Sequence, residues 1–175
     1  MNYATIKWFD IANGEGVRVS LFVSGCTHRC KNCFNQVAWD FAYGEPFADE
    51  IQEKILKALD SDYIAGLSLL GGEPLEPTNQ EALMPFVKKV KELFPNKTVW
   101  CYTGFLFNEK KGVLKEKEKN TPFTKELLSL VDVLVDGPYI EELKDIRLKF
   151  RGSSNQRVID VKKTLIAKKI VLYLE

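Results

Sequence analysis

Val17-Arg-Val-Ser-Leu-Phe-Val-Ser-Gly-Cys26-Thr-His-Arg-Cys30-Lys-Asn-Cys33 runs from a strand pattern straight into a cluster of thiols. Val17, Val19, Leu21 and Val23 alternate with Gly16, Arg18, Ser20 and Ser24, a period of two that predicts a half-buried strand. Three of the chain's four cysteines fall within eight residues, spaced C-x3-C-x2-C. The fourth, Cys101, lies far away in the apolar run Val99-Trp-Cys-Tyr102 and reads as a small buried hydrophobe.

Outward from this stretch, strand and helix patterns alternate. Ile51, Ile55 and Leu59 stand four apart, one face of a helix over 49–59. Ile64 to Leu70 is a short apolar run ended by Gly71-Gly72-Glu73-Pro74, a buried strand with its turn. Leu83, Phe86, Val87, Val90 and Phe94 predict a helix over 79–94, which Pro85 is expected to kink. Strands are predicted at 98–102 and 133–136, with a short helix at 124–131 between them. The stretch 108–120 alternates acids with lysines, which predicts a solvated loop or exposed helix end rather than a phosphate site. Beyond Arg151-Gly-Ser-Ser-Asn155 the pattern is ambiguous until a last strand at 170–174.

This alternation predicts an α/β fold with a mainly parallel sheet. In such folds ligands bind at the carboxyl ends of the strands. The cysteine loop and the GGEP turn each follow a strand, so both belong on one rim. A complete eight-fold (β/α) barrel needs about 250 residues, or 200 at the least. The chain has 175. The expectation is therefore a partial, open (β/α) barrel of about five to six units, one domain over 1–175. Within it, 108–120 is a charged loop and 157–175 a C-terminal extension.

Composition narrows the function. With 25 Lys and Arg against 24 Asp and Glu the net charge is +1, so no basic excess points to nucleic acid. No apolar run approaches the roughly 18 residues of a membrane span, and the amino terminus carries no signal core. A cytoplasmic protein is expected. There a disulfide framework is unusual, and clustered thiols more often bind metal or do redox chemistry.

Two metal readings compete. A structural zinc site needs four ligands, with His28 as the fourth. His28 lies too close to Cys26 and Cys30 to complete a tetrahedron comfortably, and no second Cys or His pair exists. A cubane iron–sulfur cluster on three thiolates leaves one iron open for a substrate or cofactor to chelate. The GGEP turn is a plain strand-ending turn, or an edge where two glycines admit a ligand and Glu73 accepts from an ammonium group.

These residues resemble the radical S-adenosylmethionine superfamily, whose signature is C-x3-C-x2-C after one strand and a GGEP-like motif after another. Asp10-Ile-Ala-Asn-Gly-Glu-Gly-Val-Arg18, Ser20 to Cys26, Cys33-Phe34-Asn35 and Trp39 narrow the likeness to the activating proteins of anaerobic (class III) ribonucleoside-triphosphate reductases. Trp100 to Gly104, Val135-Asp136-Gly137 and Arg151-Gly-Ser-Ser-Asn-Gln156 extend it over 10–156. Most superfamily members carry an aromatic before the third cysteine; here that position is Asn32, and Phe34 follows instead. This order weakens a reading as a pyruvate formate-lyase-type activase or a deazapurine-forming enzyme, and a small-molecule enzyme of the superfamily would need room to enclose its substrate. A zinc-binding interaction module is the remaining alternative.

The resemblance implies that Cys26, Cys30 and Cys33 hold a [4Fe-4S] cluster whose fourth iron is chelated by S-adenosyl-L-methionine. A low-potential donor such as a flavodoxin or ferredoxin would supply one electron. Cleavage would yield methionine and a 5′-deoxyadenosyl radical, which would take a hydrogen atom from a glycine of the reductase. No catalytic side chain is implied, because the cofactor carries the chemistry. Gly71, Gly72 and Glu73 would form the edge holding the methionyl amino group, with Asn32 and Phe34 at the adenosyl moiety. Thr103 and Asp136 either touch the ribose or carboxylate or serve as strand-end turns. Arg18 faces either a barrel interior, where it would neutralise a carboxylate, or the surface. Arg151, Ser153 and Ser154 either line a partner-facing rim or form a turn.

Overall fold

The computed structural model describes residues 1–175. Its elements are β1 (Asn2–Asp10), β2 (Val17–Val23), β3 (Glu45–Pro46), α1 (Asp49–Leu59), β4 (Ile64–Gly71), α2 (Pro77–Leu93) and β5 (Thr98–Tyr102). There follow β6 (Phe107–Asn108), β7 (Val113–Leu114), α3 (Thr124–Leu130), β8 (Val133–Asp136), β9 (Arg157–Asp160), α4 (Val161–Ala167) and β10 (Leu172–Leu174). Eight strands form one sheet in the order β10-β9-β8-β5-β4-β2-β1-β3, and β6 pairs only with β7. No helix is long and apolar enough to cross a membrane.

Only the centre of the sheet is parallel. β2, β4, β5 and β8 pair in parallel, while β1 and β9 run against them on the two flanks and β3 and β10 pair antiparallel to β1 and β9. The five to six units expected therefore reduce to four parallel strands joined through α1, α2 and α3. The edges β10 and β3 do not pair with each other, so the sheet does not close. β1 lies outside the expected strands; Ile6 and Trp8 half-buried between exposed Thr5, Lys7 and Phe9 carry its alternation. Residues 157–174, expected as an extension, supply two strands of the main sheet.

The helices form where their apolar faces recur. Ile55, Leu56 and Leu59 of α1 and Leu83, Phe86, Val87 and Val90 of α2 are buried against Val19, Leu21, Leu67, Leu69, Val99 and Cys101. Asp49 and Glu50 stand in the first turn of α1, where carboxylates favour the positive helix end. Pro77 opens α2, a position whose amide needs no partner. The helix continues through Pro85. Each core side chain of this size contributes about 2 kcal/mol on burial.

β2 is not half-buried: Arg18, Ser20 and Phe22 are as enclosed as Val19, Leu21 and Val23. Ser20, Ser68, Trp100 and Val133 form one row across the sheet face away from the helices. The loop after β1 covers that row, with the Ser68 hydroxyl donating to the Asn13 carbonyl at 2.6 Å. Phe150 and Tyr173 pack edge-on against Trp100, with centroids 5.1 and 5.4 Å away. A polar residue in this strand thus faced a second covered surface, which alternation alone cannot separate from water.

Arg18 takes the interior position and meets no carboxylate there. Its Nε donates to the Ser68 hydroxyl at 2.7 Å. Its Nη atoms donate to the Glu15, Leu67 and Thr98 carbonyls and the Thr98 hydroxyl, at 2.7 to 3.0 Å. Burial pulls its pKa down to about 10.

Candidate functional site

A cavity of about 540 Å³ opens at the carboxyl ends of β2, β4, β5 and β8. It is lined by Cys26, Cys30 and Cys33 after β2, Gly71 to Glu73 after β4, Thr103 and Gly104 after β5, and Gly137 after β8. The expected common rim is what the parallel register builds, since strands running the same way end on the same side.

All three clustered cysteines are free thiols; Cys26 is buried and the other two are half-buried. Burial pushes the Cys26 thiol up to about 12, and burial with the neighbouring Cys33 also raises Cys30. A thiolate is favourable here only beside compensating positive charge, which an iron cluster supplies. No three His, Cys, Asp or Glu side chains converge on a single ion. A tetrahedral zinc site needs that convergence, whereas a cubane places each thiolate on a different iron and spreads them apart. His28 is not turned to the thiols. Its Nε2 lies 2.7 Å from Glu73 Oε2. With His28 on Glu73, the three free thiols lack the fourth protein ligand a structural zinc site needs, whereas a [4Fe-4S] cluster with one open iron needs only three.

Asn32 and Phe34 both line the cavity. Asn32 sits at φ +56°, a left-handed conformation that Asn tolerates better than an aromatic. Local backbone therefore accounts for an Asn before the third cysteine. Phe34 is 86% exposed at the cavity lip.

The two glycines are demanded by packing. Gly71 has φ +108°, and a Cβ there would meet the Val23 nitrogen at 2.6 Å. A Cβ on Gly72 would meet the Gly25 and Ala38 carbonyls at 2.6 and 2.8 Å. Their close approach lets the Gly72 amide donate to Val23 at 2.7 Å and the Glu73 amide to Gly25 at 2.8 Å. No hydrogen bond outside the helices and strands ends on the Gly72 carbonyl.

Glu73 lines the cavity, with its carboxylate already engaged by the protein. Its carboxylate is 1% exposed and already occupied: Oε1 accepts from the Leu75 amide at 2.8 Å. Oε2 accepts from the Gly104 amide at 2.8 Å and faces His28. Burial disfavours a charged His28, but the hydrogen bond and charge of Glu73 outweigh it and raise the imidazole above its ordinary value.

Thr103 lines the cavity, its hydroxyl accepting from the Phe105 amide at 3.1 Å. Asp136 does not reach it. Its side chain is fully buried, accepts from the Phe107 amide at 2.8 Å and is clasped through both oxygens by Arg157. The last residue of β8 points to the helix side of the sheet, so its carboxylate serves the fold rather than the rim. The RGSSNQ segment is both a turn and a wall: Arg151 donates to the Gln156 carbonyl at 2.7 Å, and Gln156 Oε1 takes the Gly152 amide at 2.9 Å. Arg151, Gly152 and Gln156 line the cavity; Ser153 and Ser154 do not.

Comparison with known proteins agrees with this geometry. A family described as a 4Fe-4S single cluster domain matches residues 12–159. The chain is 43% identical over 158 residues to the anaerobic ribonucleoside-triphosphate reductase-activating protein of Haemophilus influenzae, covering 89% of this chain and 96% of that one. The chain belongs to the anaerobic ribonucleoside-triphosphate reductase-activating protein family. Its likeness to the family member of Pasteurella multocida is 42% over 89% of this chain and 95% of that one. To the member from Enterobacteria phage T4 it is 39%, over 90% and 93%. The family assignment agrees with the iron–sulfur reading of the cavity.

Several residues of this family member's site carry no signal in the sequence. Thr27, Glu76 and Lys119 form a hydrogen-bonded group beneath the cysteine loop. Tyr102, Tyr139, Ile146, Leu148 and Phe150 also line the cavity. The 108–120 stretch is not merely solvated: Leu114 is buried, and Asn120 exchanges two hydrogen bonds of 2.9 Å with its backbone.

Proposed function

We propose that this chain is an activating enzyme that uses a [4Fe-4S] cluster on Cys26, Cys30 and Cys33 to cleave S-adenosyl-L-methionine reductively. Its substrate is an anaerobic ribonucleoside-triphosphate reductase, on which it leaves a glycyl radical. The observation that carries the reading is one cavity lined both by three free thiols and by Gly72, whose carbonyl no loop or side-chain group of the protein satisfies. Cys26, Cys30 and Cys33 would hold the cluster, which would supply, from a flavodoxin- or ferredoxin-class donor, the one electron needed for reductive cleavage of S-adenosylmethionine to methionine and a hydrogen-abstracting 5′-deoxyadenosyl group.

The chain's own residues bind and orient. The Gly72 carbonyl accepts from the methionyl ammonium, while Gly71 keeps the edge close enough for approach. Phe34 stacks on the adenine and loses its exposure in doing so. Thr103 and Asn32 flank the remaining polar groups. The protein performs no acid–base step, and no side chain is assigned one. The sheet's open edges form an incomplete (β/α) wall, which suits a loop of another protein better than an enclosed metabolite.

The test is anaerobic loading with iron and sulfide, followed by incubation with S-adenosylmethionine, a low-potential reductant and the reductase. A brown chain with roughly four irons and a glycyl doublet in electron paramagnetic resonance is expected. Cleavage of S-adenosylmethionine without a doublet on the reductase overturns the substrate assignment. Failure to take up iron overturns the cluster.

A further inference from the structure

Two buried carboxylates stand beneath the cysteine loop, Glu73 and Glu76. Glu73 is met by His28 and two backbone amides. Glu76, 2% exposed, accepts from the Thr27 amide at 2.9 Å and from the Thr27 hydroxyl. Its other oxygen takes the ammonium of Lys119 at 2.9 Å, and Lys119 also donates to the Thr27 hydroxyl at 3.0 Å. Thr27 is the residue immediately after Cys26.

Lys119 is held in place for this contact. Its backbone carbonyl accepts from Gln80 Nε2 of α2 at 2.9 Å, and its ammonium lies 5.5 Å from the Phe105 ring centroid. Its side chain is only 20% exposed. Burial works to raise Glu76, but the bonds from Thr27 and Lys119 outweigh it and hold its carboxyl below the ordinary range. The ion pair is therefore formed at neutral pH.

We infer that Lys119, delivered by the 108–120 excursion, is a positioning residue that pins the first thiolate's neighbour and offsets the Glu76 charge against the cluster. This inference rests on the cluster reading above. A cluster on three thiolates takes up an electron less readily as nearby negative charge grows. Glu76 and Lys119 are largely enclosed by protein beneath the cysteine loop, where such charges are weakly screened. Lys119 thus makes the cluster easier to reduce, and Thr27 keeps the loop in register.

The test compares wild type with Lys119→Met, Lys119→Arg, Glu76→Gln and the Glu76→Gln/Lys119→Met double variant. All are loaded anaerobically and titrated redoxically, without S-adenosylmethionine, at a pH well above the carboxylate range. Lys119→Met is expected to shift the cluster midpoint to more negative potential and to lose iron to a chelator on the order of ten-fold faster. Lys119→Arg stays near wild type, Glu76→Gln shifts the other way, and the double variant returns toward wild type. Equal midpoints for wild type and Lys119→Met overturn the inference and leave the cluster reading intact. So does a loss in Lys119→Met that the double variant does not recover. A wild type that binds no cluster overturns both.

Discussion

His28 and Glu73 meet at 2.7 Å, joining the loop after β2 to the turn after β4. Glu73 also receives the Gly104 amide from the end of β5, so one carboxylate ties three neighbouring strand ends together. His28→Ala removes a hydrogen bond to a buried charge, an interaction worth about 1.5–3 kcal/mol. Urea denaturation of the metal-free chain should show that loss. An unchanged midpoint would mean that the loop holds its shape without the pair.

Cys30→Ala is expected to abolish both the ~400 nm absorption of the loaded chain and S-adenosylmethionine cleavage. Cys101→Ala should keep both. Cys101 is fully buried on the helix side of β5, so its truncation costs about 1 kcal/mol through a small cavity. Optical spectra of the two loaded variants separate ligand from bystander, and cleavage by Cys30→Ala would remove it from the ligand set.

Arg18 satisfies five acceptor contacts in the covered interior. Arg18→Met leaves several buried acceptors unpaired, at about 1–3 kcal/mol each. Arg18→Lys should not rescue it, because a single ammonium cannot span a fork of acceptors. Thermal melting of both variants checks this; a lysine variant as stable as wild type would show that charge alone is what the site needs.

Asp132 accepts from the Val99 amide at 2.8 Å and pairs with Lys91 and Lys162 at 3.0 and 2.6 Å. Burial pushes its pKa up, but these hydrogen bonds and charges outweigh that and hold it below the usual carboxylate range. A depressed folded pKa contributes stability that is full above the unfolded value, about 3.9, and is lost as pH falls through the folded one. Wild type should therefore melt above Asp132→Asn at neutral pH, with the gap closing in acid. A gap that stays constant down to acid pH would assign it to packing.

Phe34→Ala is expected to raise the KM for S-adenosylmethionine while leaving cluster absorption and the fold unchanged, since the ring is 86% exposed. Steady-state cleavage assays with and without the reductase check this. An unchanged KM with a reduced glycyl-radical yield would place Phe34 at the partner instead.

Much of the site was legible because its chemistry is local. Three thiols within eight residues and a Gly-Gly after an apolar run mark their positions whatever the fold does around them. Helix α1 coincides with its pattern because one repeating face is buried, and strands β5 and β8 because their short apolar runs are buried on both faces. β2 forms over the stretch its alternation marks but is buried on both faces, since Arg18, Ser20 and Phe22 face a second covered surface. Glu73 and Asp136 show the other limit: both are acids at strand ends, yet neighbouring amides and Arg157 claim their oxygens.

The order of residues by itself determined the three-thiol loop, the glycine edge and the alternation that sets strands beside helices. Those features depend on spacing along the chain, and spacing is what a sequence records. Only the tertiary structure decided that parallel pairing is confined to the four central strands, that Lys119 leaves a charged run to meet Glu76, and that His28 pairs with Glu73. Each of these joins groups dozens of residues apart, and their partners are chosen by burial, where an unpaired charge costs more than the chain entropy of bringing its partner to it.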